Sequence, residues 1–157
     1  MAPRFAVTHD VLDAAAIARG VDSSGTGAVV TFAGLVRDSN LGRRVLRLDY
    51  EGYEPMVVNV FARIGVEVSA AWPGTECAIH HRLGTLAIGE ASIVIVTASP
   101  HRPAAYAASR YVIERVKQIA PVWKHEYFEG GDVWIEGAVA GLDDDEAKQA
   151  AMRIACA

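Results

Sequence analysis

Lys117 and Lys124 are two of only three lysines in the chain, and they stand seven residues apart. Two amines held close together can do chemistry in two ways. Each charge disfavours the other, which lowers the pKa of one amine and frees it as a nucleophile or proton carrier. Kept charged, the pair binds an anion and stabilises negative charge that develops during attack. The first reading falls on Lys117, with Lys124 as the neighbouring charge; two ordinary surface lysines are the alternative. His101 and Arg102 form a second cationic pair suited to an anion, or else a solvated pair at a helix start. Arg37 follows an apolar strand and opens a polar loop, a usual place for a ligand-binding arginine, or is an ordinary loop cation. His80-His81-Arg82 gives no metal site, because neighbours on a strand point to opposite faces. The glycines around 25 and 130 match neither a P-loop nor a dinucleotide pattern.

The elements that position these groups follow from pattern. Ile93-Val94-Ile95-Val96 is a continuous apolar, β-branched run, so a buried strand is expected. Pro100 and Pro103 end it and open a helix. Ala105, Ala108, Val112, Val116 and Ile119 recur at spacings of three and four, one buried helical stripe. Pro121 disfavours helix at Ala120 and stops it there. Val122 to Tyr127 then reads as a strand, with Lys124 and Glu126 on one face and Trp123 and His125 on the other. A strand leaving the helix end brings Lys124 near Lys117. His101 and Arg102 lie at the helix's other end, about 22–25 Å from Lys117 at ~1.5 Å per residue. One small site in a monomer cannot hold both ends; a second subunit can bring them together.

The rest of the chain alternates strands and helices. Phe5–Thr8 is a short strand, and Asp10 caps a helix of about ten residues that Gly20 ends. Ala28–Phe32 is a strand running into a polar segment, Arg37 to Arg44, that reads as a mobile loop. Val45–Tyr53 alternates as a strand. Pro55 opens a helix through Ala71, with Val57, Val60, Phe61, Ile64 and Val68 as its buried stripe. Cys77–Arg82 is a strand, residues 83–90 a turn-rich link, and Val133–Glu136 a last short strand. Residues 1–140 read as a single catalytic domain, and 141–157 as a C-terminal tail with a short helix, acidic at its start as the helix dipole favours. The class is α+β, with a mixed, mostly antiparallel sheet and two long helices.

At 157 residues the chain can bury a sizeable core in one domain. Its apolar share of 52% is slightly high and its charged share of 22% slightly low, which suits surface buried against a partner. A net charge of -4 argues against a non-specific nucleic-acid binder. Cys77 and Cys156 fit no metal spacing and read as reduced thiols. No apolar run reaches ~18 residues and no signal peptide opens the chain, so a soluble cytoplasmic protein, away from membranes, is expected.

Four pieces in order now carry a resemblance: Phe32-Ala-Gly-Leu-Val-Arg37-Asp, His81-Arg82-Leu-Gly84, the His101-Arg102 pair, and Lys117 six residues before Trp123-Lys124-His-Glu126. Together they resemble the large, catalytic subunit of molybdopterin synthase, over about Gly27 to Glu136. Pro121-Val-Trp-Lys-His-Glu is the most specific piece. The family often places a basic residue just after the last short strand, serving the neighbouring subunit's site; here Gly137-Ala138 stand instead.

The resemblance implies an α/β-hammerhead fold and a sulfurtransferase of molybdenum-cofactor synthesis. Its substrate is then cyclic pyranopterin monophosphate, and its sulfur donor a small ubiquitin-like partner with a thiocarboxylate on its C-terminal Gly-Gly. A homodimer of large subunits binds two small ones in a heterotetramer, with no metal or other cofactor for this step. On this basis Lys117 lies beside the partner's terminus with Lys124 assisting, and Glu126 orients Lys124. Arg37, His101 and Arg102 hold the phosphate, arginine by its planar fork, and Phe32 packs under the pocket. Two other classes stay open: a non-catalytic binding module for a phosphorylated heterocycle, and an imine-forming lysine enzyme.

Overall fold

The computed structural model describes residues 2–157 and shows a mixed α+β domain of two sheets and four helices. The first sheet runs β1 (Phe5–Thr8), β5 (Glu76–Arg82), β7 (Ala91–Ser99) and β2 (Ala28–Leu35). β1 and β5 are parallel, and the other pairs are antiparallel. β7 explains its own apolar run. Ile93 and Ile95 face a core built with α2 (Glu54–Ala71) and α3 (Arg102–Ile119), while Val94 and Val96 face a second core under α1 (Ala14–Arg19). A strand covered on both faces has no reason to alternate.

Both long helices bury the stripes expected of them: Val57, Val60, Phe61, Ile64 and Val68 on α2, and Ala105, Ala108, Val112, Val116 and Ile119 on α3. They are joined by a buried ion pair. Arg115, without solvent exposure, donates from Nε and Nη2 to Glu67 at 2.7–3.2 Å, and the Tyr111 hydroxyl donates to the same carboxylate at 3.4 Å.

The second sheet is β3 (Ser39–Asn40), β4 (Arg43–Gly52), β8 (Val122–Phe128) and β9 (Gly131–Ile135), with β6 (Gly84–Ala87) also on β4. Three local readings are corrected here. The polar segment after Arg37 is no open loop: β3 and β4 form a hairpin whose two-residue turn, Leu41 (φ 51°) and Gly42 (φ 76°), takes the left-handed backbone that tight hairpins require. Residues 84–87 of the supposed link form β6, because Leu86 completes a small core with Val36, Val45 and Leu48. The first helix has six residues and is capped by Asp13, whose carboxylate accepts from the Ala16 amide at 3.0 Å; Asp10 lies before it.

Residues 141–157 carry α4 (Asp145–Ala155), capped by Asp144. Ala151 is buried in the core shared with α3, and the Gln118 side chain donates to the Ala147 carbonyl at 2.8 Å. Among the described residues, no helix is long and apolar enough to cross a membrane.

Candidate functional site

Lys117 sits on the last turn of α3, and β8 begins three residues after the helix ends. Ala120 leaves the helix with extended backbone (φ -72°, ψ 125°), as the following proline demands. The chain then turns back along β4, where Tyr50 pairs with Lys124. This return places the two amines in one site, and two cavities of about 150 and 190 Å³ meet at them. Both are lined by Lys117, Lys124, Tyr50, Ser92, Ile93 and Ile113.

The larger cavity extends towards the β3–β4 hairpin and adds Phe32, Arg37, Asn40 and Glu126. Arg37 is exposed at its mouth and Phe32 half-buried in its wall. Five residues singled out in the sequence line it together: Phe32, Arg37, Lys117, Lys124 and Glu126. His101 and Arg102 are not among them. His101 is the N-cap of α3 and both side chains are exposed at the end remote from Lys117. The smaller cavity runs the other way, past His81 and Trp123 to Glu136 and Gly137. A side chain at Gly137 is barred, since a Cβ there would lie 1.7 Å from the Val122 carbonyl oxygen.

The electrostatics bear on Lys124, which the sequence reading took as the neighbouring charge. The amine pushed below its ordinary value is that of Lys124, first by burial, then by the charge of Lys117, with Arg37 adding to the effect and Glu126 opposing it. Lys117, by contrast, is exposed at the cavity mouth. Burial is thus what distinguishes the two. The hydrogen bonds of Glu126 also go elsewhere than expected: its buried carboxylate accepts from Asn40 Nδ2 at 2.8 Å and Arg43 Nη2 at 2.9 Å. The hairpin that sequence left as a loop supplies both donors. Glu126 therefore anchors β3–β4 against β8 and reaches Lys124 through its charge.

Two groups in the site went unassigned in the sequence. Burial pushes the Tyr50 phenol up, partly offset by Ser92. The His81 ring is buried, its Nδ1 lies 2.8 Å from the Arg82 carbonyl oxygen, and Tyr50 packs edge-on at 5.1 Å. Burial, with a smaller contribution from Lys117, pushes His81 down to about 4. His80 turns away to the Pro3 carbonyl at 2.6 Å. Among the described residues, no three His, Cys, Asp or Glu side chains gather as a metal site requires.

What such a site can do is bind anions on both sides of an amine pair, one amine exposed, the other half-buried. Known proteins are similar to this chain in sequence and fold. The family model described as MoaE protein matches residues 7–119. The molybdopterin synthase catalytic subunit of Bacillus subtilis (strain 168) is 48% identical over 132 residues, 84% of each chain. A crystal structure of molybdopterin synthase from Staphylococcus aureus superposes with a TM-score of 0.83 at 38% identity, covering 86% of this chain and 98% of that one. A protein–protein complex of subunits 1 and 2 of molybdopterin-converting factor from Helicobacter pylori 26695 shares the fold, with a TM-score of 0.66 at 22% identity, over 82% of this chain and 88% of that one. The chain belongs to the MoaE family, that of the catalytic subunits of molybdopterin synthase.

Proposed function

We propose that this enzyme transfers sulfur to cyclic pyranopterin monophosphate, giving the dithiolene of molybdopterin, from the C-terminal Gly-Gly thiocarboxylate of a small ubiquitin-like subunit. One observation carries the reading: two cavities converge on Lys117 and Lys124, and one of them bears Arg37. A phosphorylated heterocycle and a thiocarboxylate are both anions, and each needs its own approach to a shared cationic centre. The larger cavity suits the pterin, with Arg37 on the phosphate and Phe32 in the wall. The smaller one, narrow and floored by the glycine at 137, suits an extended tail. Lys117 stabilises the thiocarboxylate and the tetrahedral species formed from it, and Lys124 assists.

His101 and Arg102 serve the site of a second copy. Two chains related by a two-fold axis use the same patch on both, so that the far end of each α3 completes the other's phosphate site. Each large subunit then takes one small subunit, giving a heterotetramer. The small-subunit partner is supported by the Helicobacter pylori complex of subunits 1 and 2, to which the chain is alike in fold.

The test is mass spectrometry of the pterin after mixing the protein with a thiocarboxylated small subunit. Product carrying two sulfurs is expected. A pterin that binds but gains no sulfur would reduce the protein to a binding module and overturn the proposal.

A further inference from the structure

We infer that His81 is a positioning residue for Lys117, its Nε2 accepting the hydrogen bond that holds the lysine's ammonium at the reacting end of the cavity. The inference rests on the sulfur-transfer reading above and extends it to a residue that reading does not use.

Its basis is the ring's tautomer. The carbonyl oxygen of Arg82 can only accept, so Nδ1, 2.8 Å from it, carries the ring's proton. A neutral imidazole with its proton on Nδ1 has a bare lone pair on Nε2. The ring is buried and braced by the Tyr50 ring, 66° off parallel, so it cannot swing to exchange its nitrogens cheaply. It lines the smaller cavity together with Lys117 and Lys124. The titratable groups facing it are Tyr50 from β4, Lys117 from α3, Lys124 from β8 and Glu136 after β9. Three of these are donors, and Glu136 is exposed to water. A neutral acceptor has a specific advantage here. A carboxylate in this place would fix the ammonium but cancel the positive charge that the anions need, whereas an imidazole fixes it and leaves the charge intact. Burial keeps the ring neutral at physiological pH, so the arrangement does not depend on a proton arriving.

Two measurements test this. The first uses ¹⁵N NMR of the His81 ring in the intact protein. An unprotonated Nε2 is expected, with a resonance that shifts in Lys117→Ala while Nδ1 stays. An Nε2-protonated ring, or an Nε2 unmoved by Lys117→Ala, would overturn the inference. The second is turnover with the thiocarboxylated subunit. His81→Asn keeps an amide donor for the Arg82 carbonyl and leaves nothing at Nε2. It should lose about 10²-fold in kcat, the scale of a misplaced reacting group, with KM for the pterin little changed. His81→Gln places an amide oxygen near Nε2 and should recover to within roughly tenfold of the wild type. Wild-type kcat in His81→Asn, where Lys117→Ala is inactive, would also overturn it. Full activity in Lys117→Ala would instead fault the assigned role of Lys117 in sulfur transfer, and the NMR shift would still decide the contact.

Discussion

Replacing Glu67 with alanine should be among the most damaging single changes in this protein, although Glu67 touches no cavity of the site. Arg115 has no solvent exposure, and its guanidinium directs three contacts to the Glu67 carboxylate, at 2.7, 3.0 and 3.2 Å. Only Nη1 is satisfied otherwise, by Gln118 at 2.9 Å. Counting bonds at ~1.5–3 kcal/mol each would give roughly 4.5–9 kcal/mol. That overstates the effect, because the pair was desolvated at a cost when it formed. Measured losses on stripping one partner from a buried pair are about 3–5 kcal/mol, a fifth or more of the stability of a typical domain, ~5–15 kcal/mol. With an unfolding entropy near 2.1 cal/mol/K per residue, the melting temperature should fall by roughly 9–15 °C. Urea denaturation at fixed protein concentration measures the first figure and thermal melting the second. The double change Glu67→Met with Arg115→Met should recover most of the loss, because two apolar chains leave no charge stranded. A Glu67→Ala variant within about 1 kcal/mol of the wild type, well below the expected buried-pair loss, would refute the reasoning. So would a double variant as unstable as the single.

Lys117→Ala should keep the fold and most partner binding yet lose about 10²-fold or more in product formation; substantial activity in Lys117→Arg would rule out an amine nucleophile at this position. Arg37→Ala should weaken pterin binding by roughly 1.5–3 kcal/mol and leave small-subunit affinity unchanged in calorimetry, whereas equal loss of both would mark a docking role. Lys124 carries a pH dependence. Its folded amine is depressed below its unfolded value, so the unfolded chain binds the proton more tightly, and stability rises with pH through the window from the depressed value up to the ordinary lysine value. Lys124→Met should therefore flatten that rise and stabilise the fold near neutral pH while lowering turnover; a destabilised variant with the rise intact would contradict this.

The sequence revealed those parts of the molecule that rest on local pattern. The stripes of α2 and α3 are set by spacing along one helix, and Pro121 fixes where α3 ends, so the proximity of Lys117 and Lys124 could be read from a stretch of eight residues. What escaped depends on strands far apart in the chain. Asn40 and Arg43 reach Glu126 from 86 and 83 residues away, and Leu41 gave no sign of entering the left-handed region. β6 is a strand only because Leu86 has a small core to fill. The depression of the Lys124 amine by burial escaped for a related reason. A neighbouring charge acts on both lysines alike, and burial, which separates them, is a property of the assembled fold. His81 was visible as a strand residue turned away from His80, but its tautomer depends on the Arg82 carbonyl and its isolation on Tyr50 across the sheet.

α3 carries its two cationic groups at opposite ends, His101 and Arg102 at the first turn and Lys117 at the last. If each end serves a different copy's site, the unit that inheritance acts on is not the chain but half of two sites. A chain lacking Arg102 and a chain lacking Lys117 would each be inactive alone, and each would disable both sites of its own dimer. Mixed in one cell, they would pair into hybrids in which one site is intact and the other doubly defective. Two loss-of-function alleles would then complement one another, and a single one would not act as a dominant poison. Damage confined to one end of α3 would thus be recessive and mutually rescuable, whereas loss of the Glu67–Arg115 tie between α2 and α3 would spare neither end.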